Sequence, residues 1–303
     1  MSADSDALQI NLLLTLIALP PLDGEPGQLD AYLAPYLYWL SADERERSQR
    51  ARLPGLAARQ LLVRLCLRAE LARRTGQPPT SLTFDYGPQG KPSLSDAGIH
   101  FNMSHSGDYL LIASALCEGE MLLGADIERN RANTDIDAIY RHYFSAPEQQ
   151  YLEHLAADAK RDGFFDLWAL KESYIKATGK GLAEGLKTFG FDLAAAKCCP
   201  NDAFIHFNDG LEVQRFLGAE TQVSTDSNRA ASAETQTDPY AKWHWQSAVG
   251  QIDSEFRLAY TLASPTPRRC RLTLAQPQWQ SLLQDVANSD ASHAGVNTLL
   301  NTW

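Results

Sequence analysis

Residues 56–75, LAARQLLVRLCLRAELARRT, carry the clearest periodicity in the chain. Ala58, Leu61, Leu62, Leu65, Cys66, Ala69 and Ala72 recur at i, i+3, i+4 and i+7, the apolar stripe of an amphipathic helix. Gly76 stands where such a helix stops. Arg59 borders the stripe, while Arg64 and Arg68 fall further round, on the face expected to be wet. A second helical stretch, WALKESYIKATGKGL at 168–182, has no Pro and no Gly before Gly179. Helical patterns also cover 134–143, 147–157 and 162–178, the middle one with Pro147 near its first turn after Ser145. Shorter ones cover 30–40 and 41–50, the latter opening on Ser41 with acids in its first turn.

Strand patterns interleave with these helices. The apolar run from Ile10 to Leu19 predicts a buried strand ending at Pro20 and Pro21. Residues 82–86, 99–103, 109–116, 121–127, 186–193 and 203–208 predict further strands, and the alternating stretches 242–249 and 255–263 predict two late ones. An αβ series thus occurs twice, without a sequence repeat. Residues 219–239, rich in Ser, Thr, Ala and Gln, have no apolar period and read as a disordered or variable loop. Beyond Pro265 there is one weak helix, 277–290, and an irregular end, so 265–303 is a tail of unassigned role.

Composition narrows the class. A length of 303 residues allows one large domain or two smaller ones. The net charge of −10 argues against general nucleic-acid binding. Five Cys, an odd number with no C-x-x-C, fit free thiols in a reducing compartment. The apolar start carries Asp4 and Asp6 instead of a basic segment, and is too short to span a bilayer. A cytoplasmic protein with no membrane partner is expected. No H-x-x-x-H or H-E-x-x-H occurs, against zinc. Gly179-Lys180-Gly181 is not a P-loop, because Tyr174 stands in place of the first Gly and Gly181 in place of Ser/Thr.

Candidate chemistry sits in four places. In LLGADIERNR, 122–131, Asp126 and Glu128 are two apart, so on a strand both carboxylates point to one side. Such a pair repels unless it is solvated or holds a cation, and oxygen ligands suit a hard ion such as Mg2+. A solvated strand end accounts for it equally. Glu172 and Lys176 are four apart and share a helix face, which alone is an ordinary surface ion pair. Residues 41–76 hold nine Arg against four acids, either a wet helix surface or an anion site. Residues 87–107, GPQGKPSLSDAGIHFNMSHSG, place GKP in a turn and FNMSHSG before a strand.

Taken in order along 41–192, GKP, FNMSHSG, GADIE and WALKESYIKATGKGL resemble the larger type of 4′-phosphopantetheinyl transferase, the kind that serves surfactin synthetase. The resemblance implies transfer of 4′-phosphopantetheine from coenzyme A to a serine of an acyl or peptidyl carrier protein, releasing adenosine 3′,5′-bisphosphate. It implies that Asp126, Glu128 and Glu172 hold Mg2+, or Mn2+ in its place. Glu172 would also take the serine proton, and Lys176 would neutralise the leaving phosphate, with Lys171 a weaker candidate. Lys91, Ser104 and His105 would bind the nucleotide end, His105 at the 3′-phosphate. Arg47 and Arg59 match positions that hold the coenzyme A phosphates, whereas a basic position expected near residue 44 is Glu44 here, a departure.

The implied fold is α/β (α+β), two similar halves about a pseudo-twofold axis, each an antiparallel sheet with helices. The halves would be 1–118, on the nucleotide side, and 119–264, with the metal and the catalytic helix. Coenzyme A would lie between them, in a monomer. Docking of the carrier is expected on a largely apolar patch, with part of the basic 41–76 region. Two other readings use the same residues: a Mg-dependent nucleotide phosphohydrolase, and an inactive carrier-binding module. The motifs do not specify which carrier is served.

Overall fold

A computed structural model describes residues 9–22, 27–51, 53, 55–94, 98–195, 197–200, 205–211, 213–215 and 239–300. The first half of the chain runs β1 (Gln9–Ala18), α1 (Gln28–Leu33), α2 (Ala42–Gln49), α3 (Leu56–Thr75), β2 (Phe84–Tyr86), β3 (Pro92–Leu94), β4 (Ile99–Ser106) and β5 (Tyr109–Leu116). The second continues with β6 (Leu122–Arg129), α4 (Ile136–Tyr143), α5 (Ala146–His154), α6 (Ala157–Thr178), β7 (Phe189–Phe191), β8 (Lys197–Pro200), β9 (Ile205–Leu211) and β10 (Val213–Arg215). It closes with β11 (His244–Ile252), β12 (Phe256–Ser264), β13 (Arg269–Ala275) and α7 (Trp279–Leu300). The loop expected at 219–239 lies, but for its last residue, outside the described residues, as do the first two positions of the strand expected at 203–208.

Two large sheets carry the fold, one ordered β13-β1-β5-β4 and the other β6-β12-β11-β9-β8. Alternation along the strands assigns each side chain to a layer. On β5, Leu110 and Ile112 face α3, and Leu111, Ala113 and Ala115 face the second sheet. On β12, Leu258, Tyr260 and Leu262 meet the first sheet, while Ala259 packs under α6 with Phe164, Leu170 and Tyr174. The order of layers is therefore α3, sheet, sheet, α6. Strands buried on both faces read as unbroken apolar runs, which is why β1 is QINLLLTLIA.

The expected elements are present, with three differences. The first sheet is not purely antiparallel, because β1 pairs parallel with β13. Strand β13 comes from the tail that had no assigned role. It is an edge strand of half-buried and exposed residues, RCRLTLA, so its apolar signal is thin. The tail helix then lays Trp279, Leu282, Leu283 and Val286 into the core beneath α3. Finally, Arg64 and Arg68 are not on a wet face. Arg68 is 4% exposed and donates to Glu44 Oε2 at 2.9 Å and to the Pro79 and Leu82 carbonyls. Arg64 donates to Glu44 Oε1 at 3.0 Å. Glu44 also closes the N-terminal box of α2 with Ser41. Helix α3 is covered on several sides, so a single stripe did not reveal its buried extent.

Among the described residues no helix is long and apolar enough to cross a membrane. The docked tail yields a direct test. Leu283 is fully buried, so Leu283→Ala should lower the unfolding free energy in urea by about 2–5 kcal/mol. Gln284→Ala, at an exposed neighbouring position, should stay within about 0.5 kcal/mol.

Candidate functional site

Helix α6 lies across β6 and β12, and one glycine allows it to come close. A Cβ on Gly124 would collide with the Ser173 carbonyl oxygen and the Ala177 amide nitrogen of α6. Only a residue without a side chain fits this approach. The contact brings the last turns of α6 over the carboxylates of β6. Lys176 Nζ stands 2.6 Å from Asp126 Oδ1 and 2.8 Å from Ser104 Oγ. Ser104 donates to the same Asp126 oxygen at 2.8 Å, and Ser106 donates to Glu128 Oε2 at 3.1 Å.

Asp126 is 2% exposed, and its Oδ2 has no hydrogen-bond partner among the described residues. Burial pushes the Glu172 carboxyl up to about 7, and the Asp126 and Glu128 charges add to this while Lys176 opposes it. Burial and Asp126 also raise Glu128. These three carboxyl groups therefore share one electrostatic neighbourhood, served by the Lys176 ammonium. Among the described residues no three His, Cys, Asp or Glu side chains form a ready-made metal-binding group. An open set of carboxylates with one buried, unpartnered oxygen nevertheless fits an ion such as Mg2+, which takes much of its shell from water and phosphate.

Beside this cluster opens a cleft of about 770 Å³, lined in part by Arg47, Arg59, Tyr86, Met103, His105 and Arg131. Arg47 is exposed, paired with Asp43 at 2.9 Å, and lies over the Tyr86 ring. Arg59 is 8% exposed, donates to the Gly107 carbonyl and lies 3.6 Å from Asp108. His105 follows Ser104 on β4, and burial, Lys176 and Arg59 lower its pKa, which favours the neutral ring. A smaller cleft of about 430 Å³ adjoins, polar at His105, Glu128 and Arg131 and apolar at Ile139, Phe165 and Trp168.

The structure thus gathers Asp126, Glu128, Glu172, Lys176, Ser104 and His105, with Arg47 and Arg59 along the neighbouring cleft. Two expected site residues stand elsewhere. Lys171 is fully buried on the other side of α6, 2.7 Å from Glu148, and donates to the Leu186 and Phe189 carbonyls at 2.8 Å. It has no route to a phosphate. Lys91 points its ammonium away from the large cleft, donating to the Leu123 carbonyl at 2.9 Å and the Ala177 carbonyl at 2.8 Å. Burial brings it down to about 8. Sequence reasoning did not single out Ser106, Arg131 or the Phe165–Trp168 cleft. Ser106 and Arg131 lie in or beside quoted motifs, and Ser106 repeats the two-residue spacing of Ser104 along β4.

A buried cluster of carboxylates and an ammonium, at the mouth of a cleft carrying guanidinium groups, describes a site for phosphate chemistry. Comparison with known proteins agrees. The family profile of the 4′-phosphopantetheinyl transferase superfamily matches residues 122–261, and that of the 4′-phosphopantetheinyl transferase N-terminal region matches 30–117. A Synechocystis protein of that family name is 39% identical over 154 residues, 50% of this chain and 61% of that protein. The 4′-phosphopantetheinyl transferase HetI of Nostoc is 34% identical over 168 residues, 54% of this chain and 68% of HetI. The 4′-phosphopantetheinyl transferase Sfp of Bacillus subtilis is 31% identical over 159 residues, covering 52% of this chain and 68% of Sfp. The matches thus span only about three-fifths to two-thirds of these relatives. This chain belongs to the 4′-phosphopantetheinyl transferase superfamily.

Two outcomes test the site's construction. Gly124→Ala should push α6 off β6, destabilising the fold by about 1–3 kcal/mol or more and removing the site. The Glu172 carboxyl, raised from its ordinary value to about 7, binds its proton more tightly in the folded than in the unfolded chain. Its contribution to stability therefore falls as pH rises from the ordinary carboxylate range to about 7. In metal-free protein, Glu172→Gln should raise the unfolding free energy at pH 8 by about 1–3 kcal/mol and leave it unchanged near pH 4. Denaturant titration with a chelator present checks both.

Proposed function

We propose that this protein transfers 4′-phosphopantetheine from coenzyme A to a serine of an acyl or peptidyl carrier protein, leaving adenosine 3′,5′-bisphosphate. The observation that carries the reading is the junction at His105. There the guanidinium-lined cleft, the Asp126–Lys176 pair and the apolar cleft meet within one strand end.

On this reading the nucleotide lies in the large cleft. Arg47 and Arg59 face its phosphates, and His105, which lines both clefts, accepts or donates at the 3′-phosphate. Glu44 occupies the position where a further cation was expected, and it draws Arg64 and Arg68 into internal pairs. The phosphate contacts then rest on Arg47, Arg59 and His105. The two-half arrangement about a pseudo-twofold axis, with coenzyme A along the seam, is supported by each large sheet carrying one long helix, α3 or α6, on its outer face.

The serine oxygen forms a bond to the β-phosphorus, and the bond from that phosphorus to the oxygen bridging to the α-phosphate breaks. The serine proton passes to Glu172, directly or through a water, and a carboxyl raised to about 7 suits a base working near neutrality. Lys176 is placed to donate to the oxygens of the departing α-phosphate. Asp126, through its unpartnered Oδ2, with Glu128 and Glu172 would hold Mg2+, or Mn2+ in its place. Such an ion, when bound, supplies positive charge against the pyrophosphate oxygens.

Ile139 and Trp168, half-buried in the smaller cleft, offer the carrier an apolar landing beside the reacting groups, consistent with docking that does not depend on long-range attraction by a chain of net charge −10. The protein is read as a cytoplasmic monomer. Cys66 and Cys117, which are in no disulfide, fit a reducing compartment.

Intact mass of an apo carrier protein after incubation with this protein, coenzyme A and Mg2+ tests the reading. A gain of about 340 Da, one phosphopantetheine on serine, is expected with the wild type and not with Glu172→Gln. No gain across acyl and peptidyl carriers, with phosphate released from nucleotides instead, would replace the transferase by a phosphohydrolase.

A further inference from the structure

The two large sheets meet at β4 and β6, and among the described residues no backbone ladder joins them. Strand β6 is the edge of its sheet, pairing with β12 on one side only. Its other edge would present unpaired N–H and C=O groups. Side chains from the first half of the chain fill that edge instead. Lys91 Nζ donates to the Leu123 carbonyl at 2.9 Å. Asn102 Oδ1 accepts from the Ala125 N–H at 3.0 Å. Ser106 Oγ accepts from the Arg129 N–H at 3.2 Å. Residues 123, 125 and 129 are alternate positions, which turn their backbone groups to the same edge of a strand. Asn102, Ser104 and Ser106 are likewise alternate positions on β4, and all three are buried.

The rung made by Lys91 reaches further. Its ammonium also donates to the Ala177 carbonyl at 2.8 Å, one of the last carbonyls that α6 leaves without a partner inside the helix. One side chain from the β2–β3 hairpin thus holds both β6, three residues before Asp126, and α6, one residue after Lys176. Neither Lys91 nor Asn102 lines the cleft assigned to the nucleotide or the apolar cleft beside it.

We propose that Lys91 and Asn102 are positioning residues, the rungs of a side-chain ladder that fixes the carboxylates of β6 against the ammonium of α6 across the seam between the halves. The inference rests on the proposed carboxylate metal site for its metal part and on the transferase reading for its kinetic part. Loosening the ladder frees the β6 edge, which spreads Asp126 and Glu128 relative to Glu172. Arg47, Arg59 and His105, which face the nucleotide, are left in place.

The test uses the full chain. Mn2+ binding is followed by electron paramagnetic resonance with coenzyme A present, beside kcat and the KM for coenzyme A, in Lys91→Met, Asn102→Leu and Lys91→Arg. Lys91→Met and Asn102→Leu should each weaken Mn2+ binding and lower kcat by about 10-fold or more, the loss typical when a group orienting metal ligands is removed. The KM for coenzyme A should stay within about twofold, and Lys91→Arg, which keeps the donors, should recover most of the loss. Lys91→Gln, retaining an amide donor, serves if Lys91→Met does not fold, with an intermediate loss expected. Folded variants whose Mn2+ affinity and kcat match the wild type would overturn the proposal, as would a wild type that binds no Mn2+ with coenzyme A. Absence of carrier modification by the wild type, with Mn2+ binding still weakened in the variants, would instead overturn the transferase reading and leave the ladder standing.

Discussion

The close approach of α6 to β6 at Gly124 is the constraint on which the site depends. Without a Cβ at that position, the backbone of the strand and the backbone of the helix come into direct contact. Lys176 then reaches Asp126, and Glu172 enters the field of both β6 carboxylates. The contact is held from behind by Phe164, Leu170, Tyr174 and Phe189, which pack α6 onto its sheet. Burial of these large side chains supplies the free energy that keeps like charges together.

Three of the acid–base clusters among the described residues differ in how fully they are satisfied. Glu148 is bonded by Ser145 and the Phe191 amide and paired with Lys171, whose remaining donors go to two carbonyls. Glu44 is bonded by Ser41, Arg64 and Arg68. Both are closed structural pairs of the kind that is costly to break. The third cluster is open. Among the described residues Asp126 keeps a buried oxygen without a partner, at a cost of about 1–3 kcal/mol, and Glu172 is held near the middle of the pH range. Incomplete satisfaction at a cleft mouth sets this cluster apart from the closed pairs of Glu148 and Glu44.

The tail has a mechanical part in this arrangement. After β12 the chain crosses back, adds β13 beside β1 and sets α7 against α3. The first sheet therefore contains strands from both ends of the chain, and the layer of α3 is completed by residues at 279–286. The seam between the sheets, where the clefts open, is spanned by this return as well as by the bonds between β4 and β6.

Much of the site could be read from local periodicity. Two-residue spacing placed Asp126 with Glu128 on one side of a strand, and four-residue spacing placed Glu172 with Lys176 on one face of a helix. Both relations are fixed by backbone geometry alone. The same periodicity puts Lys171, five residues from Lys176, on another face of the helix, but could not show that this face is buried against Glu148. Nor could it show that Glu44 turns Arg64 and Arg68 inward, that the Lys91 ammonium is spent on two carbonyls, or that RCRLTLA finds a parallel partner in β1. Sequence spacing by itself determined which side chains share a face. What covers that face, and so whether a charge meets water, a partner or a ligand, was decided only by the tertiary packing of elements distant along the chain.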